Sequence, residues 1–418
     1  MTTDITHRST RTEFRWLIAA VWAVMLPAAF AQQIGTNSPT GKVSTVDVSA
    51  LQEAGGIALG PITAYPSVKL EFGRDDNLYQ NPNNRISDSF AVSAPSVRFE
   101  ARQGANTYNV VVGSTLGRYD TRTADNYTNY NVNGLAELDL SARFRANIKA
   151  DYINWADARG SNNTPISATP DQYHESYLGG VGSYGAKGAE GRIDLELGQR
   201  SRRYDNNRAR TSTSDHDTAD FGATFYWRIA PKTSLLLQAK QSKVDYMDPA
   251  SIQSSTENRL LAGVTWAATA KTTGTFKLGM VKKSFDNSAL SSSSDPSWEA
   301  TIKWSPLTYS QVDFNLSRMP AETTGGVGNF VDKTITGATW SHAWTRQFAT
   351  EVAASYTTED YKGFARQDNT RNFGLKATYT MRRWLSFGAG YIYSSRDSNI
   401  NTSDYDRNKL MLFVNATL

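Results

Sequence analysis

Residues 372–393 read NFGLKATYTMRRWLSFGAGYIY, and this stretch decides the fold. Phe373, Leu375, Ala377, Tyr379 and Met381 share one parity, while Asn372, Gly374, Lys376, Thr378 and Thr380 share the other. After Arg382 and Arg383, the positions Leu385, Phe387, Ala389, Tyr391 and Tyr393 alternate with Ser386, Gly388, Gly390 and Ile392. Side chains of a strand point to opposite faces with period two. The stretch is therefore a β-hairpin with one apolar face, one polar or small face and a very short connection. Each arm is about ten residues long, enough to cross a bilayer core when tilted.

The same unit recurs from Ile62 to Leu418, where alternation and turn signals define eighteen strands. Connections alternate between short, as at Arg382-Arg383 or Ser305-Pro306-Leu307, and long and polar, as over 74–88, 156–172, 203–217, 286–296, 319–329 and 359–370. Short turns on the periplasmic side and long loops outside are the pattern of an outer-membrane barrel. The expected fold is all-β: a transmembrane antiparallel up-and-down β-barrel with an even strand number. Phe221, Ala223, Phe225 and Trp227 should face lipid, as should Phe276, Leu278, Met280, Trp298, Ala300, Ile302 and Trp304. The last strand carries Leu410, Leu412, Val414, Ala416 and Leu418 on one parity up to the C-terminus.

Composition agrees. The chain has 418 residues, 39% of them apolar, with 20 Tyr, 17 Phe and 10 Trp. A weakly apolar, aromatic-rich chain suits a sheet with lipid on one face and water on the other. There is no Cys, which excludes disulfides, thiolate metal sites and a lipidated N-terminal Cys. A formal charge of +4 with interspersed signs gives no stripe for nucleic acid.

Residues 1–31 read as a secretory signal peptide: Arg8, Arg11 and Arg15 precede an apolar core from Trp16 to Leu26, and Ala29-Phe30-Ala31 fits a cleavage site between Ala31 and Gln32. Residues 32–61 are small and polar, with a short helix expected over 48–54, and form a periplasmic extension or a lumen plug. Residues 62–418 are the barrel. This order places the protein in the outer membrane of a Gram-negative cell, beside membrane lipid and lipopolysaccharide, as a monomer or homotrimer.

The polar parity predicts the lumen lining. It carries Lys69, Glu71, Glu137, Asp139, Lys149, Asp151, Arg192, Asp194, Glu196, Arg228, Glu299, Lys303 and Lys376, with Arg200, Arg202, Lys240, Arg259, Lys277 and Asp313 on the same side. A charge facing lipid at mid-depth costs about 2–4 kcal/mol, so this parity should point inward. Such charges solvate the wall of any wide barrel; they also suit a hydroxyl-rich solute. No chemistry points to an enzyme, and no catalytic, cofactor or metal residues are expected. His174, His216 and His342 lack metal spacing, no G-x-S-x-G occurs, and Gly325-Gly326-Val327-Gly328 lacks the Lys-Ser/Thr of a phosphate loop.

The chain resembles the family termed putative β-barrel porins, found with exopolysaccharide and capsule export systems of Gram-negative bacteria. The resemblance is carried by Ala64-Tyr65-Pro66-Ser67, Arg74-Asp75-Asp76-Asn77-Leu78-Tyr79, the run QGANTY at 103–108, and Gly117-Arg118-Tyr119. It implies a barrel of about eighteen strands and, for some members, passage of secreted polysaccharide. The leading expectation is thus a conduit exporting extracellular polysaccharide with periplasmic machinery as partner. An uptake porin for small solutes and a structural or adhesive barrel are the alternatives.

Overall fold

The computed structural model describes residues 55–160, 169–267, 271–323 and 328–418. The signal peptide, its Ala31/Gln32 junction, the helix expected over 48–54 and Gly325 to Val327 lie outside them.

A stub, β1 (Ile57–Leu59), precedes eighteen long strands. These are β2 (Ile62–Asp75), β3 (Asp88–Gln103), β4 (Asn106–Tyr119), β5 (Tyr127–Asp139), β6 (Phe144–Asp157), β7 (Asp171–Tyr184), β8 (Gly191–Tyr204), β9 (His216–Ala230) and β10 (Thr233–Tyr246). They continue as β11 (Ser255–Trp266), β12 (Thr272–Phe285), β13 (Ser293–Leu307), β14 (Ser310–Ala321), β15 (Phe330–Ala343), β16 (Phe348–Lys362), β17 (Arg366–Arg382), β18 (Leu385–Ser398) and β19 (Tyr405–Thr417). Each long strand pairs antiparallel with its chain neighbours. β19 returns to β2, with Lys409 opposite Asp75 and Thr417 opposite Ser67, so the sheet closes. Closure satisfies every wall edge internally, as a hydrocarbon surround requires.

The last strand ends before β2 does. Leu418 N–H donates to the Pro66 carbonyl at 3.0 Å, and β1 takes over the same edge, Ile57 opposite Ala64 and Leu59 opposite Ile62. The sheet therefore starts at Ile57, inside the stretch assigned from sequence to the N-terminal extension.

The register separates two continuous faces. Leu410, Leu412, Phe72, Leu197, Phe221, Leu278 and Met280 are among the large apolar residues left exposed, all on one parity. Most of this outer belt's periplasmic edge is aromatic: Phe144, Tyr184, Trp227, Trp304, Trp344 and Trp384 lie beside the short turns. Rings that are apolar with a polar tip settle at such an interface.

Several strands run past the apolar belt. The stretch 359–370, expected as a loop, is mostly sheet: β16 and β17 pair until Tyr361 faces Arg366, leaving only 363–365 as the turn. Gly363, at φ +79, supplies the left-handed residue there. Likewise β13 begins at Ser293, within the expected 286–296 loop. Outside lipid the apolar signal vanishes although the hydrogen-bonded ladder continues.

Candidate channel lumen and its mouth

The charged parity faces inward, and contacts that skip a strand show it. Lys240 of β10 reaches Glu196 of β8 at 2.9 Å, passing across β9. Two side chains can meet over an intervening strand only on the concave side of a curved sheet. The residue beneath is Gly222, where a Cβ would stand 3.3 Å from the Glu196 side chain. A larger residue would push that bridge into the lumen.

All thirteen candidates of the sequence reading, by register, fall on this parity. Lys69 pairs with Glu71 at 2.8 Å, and Lys409 approaches Glu71 at 3.5 Å. Lys69 and Lys376 both lie over the Phe413 ring, at 5.7 and 5.5 Å. Lys149 and Asp151 pair at 2.5 Å, and Asn133 donates to Asp151 at 2.9 Å. Arg192 pairs with Asp194 at 3.0 Å and stacks on Tyr226. Glu137 lies between Thr107 and Asn147 in register, and Asp139 holds Lys187 of the β7–β8 turn at 2.7 Å. Lys303 faces Asp313. Arg228 sits exposed at the periplasmic rim.

The most connected group lies on β10–β13. Glu299 accepts from Lys277 at 2.5 Å and Arg259 at 2.8 Å, and Arg259 also holds Glu257 at 2.6 Å. Lys277 further donates to Gln238 at 2.9 Å. Most of these side chains are nearly inaccessible to water, at 7–13% exposure for Lys277, Glu299 and Arg259. Alternating signs within one wall mean that most charge is neutralised locally.

Two groups of contacts tie loop residues together at the extracellular mouth. After β6, Arg159 and Gly160 lie against the two preceding extracellular loops. Arg159 bonds Asp125, in the 120–126 loop, and Tyr79, in the 76–87 loop. Tyr79 in turn donates to Asp125 at 2.8 Å, and its ring lies 4.2 Å from the Arg159 guanidinium. The hydrogen bond that Arg159 donates to Asp125 raises the Arg159 pKa, while burial and the hydrogen bond to Asp125 push the Tyr79 phenol up. Both groups hold their protons at any physiological pH. Gly160 packs so closely against the Tyr79 carbonyl that a Cβ would stand 1.9 Å from its oxygen.

The second group ties Glu322 and Thr323, after β14, and Gly328 and Asn329, before β15. Glu322 accepts from Lys283 of β12 at 2.5 Å and from Tyr246 of β10 at 2.8 Å. Gln253, in the loop after β10, donates to Thr323, Gly328 and Asn329 at 3.1–3.3 Å. Glu322 thus reaches over the strands between β14 and β10. Beneath the loops, Leu78, Phe90, Tyr173, Tyr204, Tyr361 and Tyr405 are buried, which gives the mouth an apolar core.

The wall residues alternate in the sequence, whereas Arg159, Asp125, Tyr79 and Glu322 belong to aperiodic loops and meet only through the fold. The inward-reaching Lys283 was the available signal: a charge on the lumen parity near a strand end.

A barrel of 16–18 strands encloses an aqueous channel, and the family comparison agrees with that class. Residues 50–418 match the family described as "Putative beta-barrel porin 2", so the chain belongs to that family of outer-membrane barrels. No curated protein matches. Among solved structures the chain is similar to OpdK of Pseudomonas aeruginosa, at 12% identity and TM-score 0.47, over 85% of this chain and 99% of that one. OprD of the same organism shows 14% identity and TM-score 0.45, over 88% and 97%. OccAB4 of Acinetobacter baumannii shows 10% identity and TM-score 0.44, over 85% and 98%.

Proposed function

We propose that the chain is a narrow diffusion channel by which small polar solutes cross the outer membrane and enter the cell down their gradient. The observation that carries this reading is the pair of ties at the mouth, Arg159 to Asp125 and Tyr79 on one side and Glu322 to Lys283 and Tyr246 on the other. Such a mouth admits small solutes past fixed polar groups. Fixed loop residues at the mouth favour small solutes over a polymer, so export, the leading sequence expectation, is not the function this geometry supports best. Both charge signs line the wall, which favours neutral or zwitterionic hydroxylated solutes over a simple ion. In this reading residues 1–31 direct export and are removed after Ala31, residues 32–61 remain periplasmic, and a monomer suffices because the wall has no open edge.

Single-channel recording in planar bilayers tests the proposal. Small, steady openings blocked by mono- and disaccharides are expected, with no added block by long oligosaccharides. Large openings blocked by long polymers, growing when residues 32–61 are removed, would restore the export reading. Silence from a correctly folded barrel would leave the structural or adhesive alternative.

A further inference from the structure

A cavity of about 430 Å³ opens at the extracellular rim and is lined by Arg118, Asn126, Tyr127, Thr128, Asn129, Asn154, Ala156 and Gln172. Register places Arg118, Thr128, Asn154, Ala156 and Gln172 on the outward parity of β4–β7. The recess therefore sits mainly on the lipid-facing side of the wall, apart from the channel.

Its surroundings are layered. Below it Val110, Val112, Val132, Ile148 and Leu178 form the apolar belt, all exposed. Next come Tyr130, Tyr152 and His174, also outward, which stack in sequence with centroids 6.1 and 6.2 Å apart and planes within 24°. Above this shelf stand Arg118 and the amides of Asn126, Asn154 and Gln172. Acyl, interfacial and polar layers thus follow in the order of a lipid molecule in the outer leaflet.

Arg118 is the cation that lines the recess. Arg74, elsewhere on the rim, holds Ser87 Oγ at 3.0 Å, while several other outward cations above the belt have carboxylate partners: Arg203 with Asp217 at 2.7 Å, Arg318 with Asp332 at 2.6 Å, Lys243 with Asp245 at 2.9 Å and Lys362 with Asp360 at 2.5 Å. Arg118 is instead fixed by neutral acceptors, the carbonyls of Gly117 and Tyr127 at 2.8 and 2.7 Å and Thr128 Oγ1 at 3.4 Å. Its position is set while its charge is uncompensated. The nearby carboxylate, Asp205, is engaged by His174 at 2.7 Å and by Asn154 at 3.2 Å.

We propose that this recess binds the phosphorylated sugar headgroup of an outer-leaflet glycolipid, with Arg118 on a phosphate, the amides on sugar hydroxyls and the Tyr130–Tyr152 shelf under the sugar and upper acyl region. Guanidinium suits phosphate by its forked donors. The inference rests on the outer-membrane placement of the barrel but not on what the channel carries.

The test is binding of diphosphoryl lipid A to the full mature chain in neutral detergent, read by native mass spectrometry, against dephosphorylated lipid A and phosphatidylglycerol. Preference for the diphosphoryl form is expected, with Arg118→Gln weakening it about tenfold, the loss of one charge-assisted bond. Tyr130→Leu should weaken all lipid A forms. Lys282→Gln, which removes another outward cation on distant β12, should change nothing. Arg118→Gln should leave single-channel conductance intact, which separates failure of this site from failure of the barrel or of the channel reading. Equal losses in Arg118→Gln and Lys282→Gln would overturn the proposal. So would equal affinity for phosphatidylglycerol, or displacement of the lipid by inorganic phosphate at equal concentration.

Discussion

Glu299 shows how one residue sets the lumen's character. It neutralises Lys277 and Arg259 together, and the three carboxylate and cationic groups are nearly shielded from solvent. Glu299→Gln leaves two cations with only Glu257 and the amide of Gln238 as partners. An uncompensated buried charge costs about 3–5 kcal/mol, and lumen water will reduce that figure. The expected outcome is a lower unfolding temperature and a shift of the reversal potential in a salt gradient towards anion permeation. An unchanged reversal potential would show that the group lies off the conducting path. Arg159→Ala acts at the mouth. It removes charge-assisted bonds worth about 1.5–3 kcal/mol, enough to release residues 158–160 from Asp125 and Tyr79 for a substantial fraction of the time. Larger or noisier single-channel openings should follow, whereas Arg159→Lys should recover part of the wild-type conductance.

At the scale of elements, the strands and loops differ in how they are specified. Strands such as β12 were legible because Phe276, Leu278 and Met280 alternate with Gly, Lys and Val on the lumen side, and lipid enforces that alternation. Beyond the bilayer both faces meet water, so the pattern ends before the strand does. This is why the β16–β17 ladder, carried upward by Asp360, Tyr361, Arg366 and Asp368, reads as loop. The inner parity was legible for the same reason as the outer one, but the grouping of Lys277, Arg259 and Glu299 depends on strand adjacency and curvature. The tight turn at 363–365 stands above the membrane and packs against Gly328 and Asn329. An epitope inserted there should be labelled by antibody on cells without permeabilisation. Glu322, after β14, acts on the lumen side. Glu322→Ala cuts the ties to Lys283 and Tyr246, and faster block by a disaccharide is the expected readout.

For the whole molecule, the decisive contact is the seam between β19 and β2. Arg407 bonds Asp75 there through both Nε and a terminal nitrogen, Asn408 donates to Asp76 at 2.6 and 2.7 Å, and Leu418 caps the Pro66 carbonyl beside β1. Arg407→Ala strands a buried carboxylate at the seam. Less of the chain should then run as the compact, unheated form in detergent electrophoresis. An added C-terminal tag should have a similar effect, because the chain past Leu418 runs towards the edge that β1 already occupies.

The seam also fixes the order of events in time. Every other wall pairing joins strands adjacent along the chain, so those hairpins can zip as soon as both arms have arrived. The seam brings together residues 332 positions apart. Loop-closure entropy must be met before so distant a contact gives any return, and non-local pairing is slow. Until Leu418 arrives, the growing sheet has two raw edges, each a template for a stranger's strand. A chain cut short by even one strand never leaves that state. Biogenesis of this barrel is therefore all-or-none in its last step, and the final thirteen-residue strand acts as its proof of completeness.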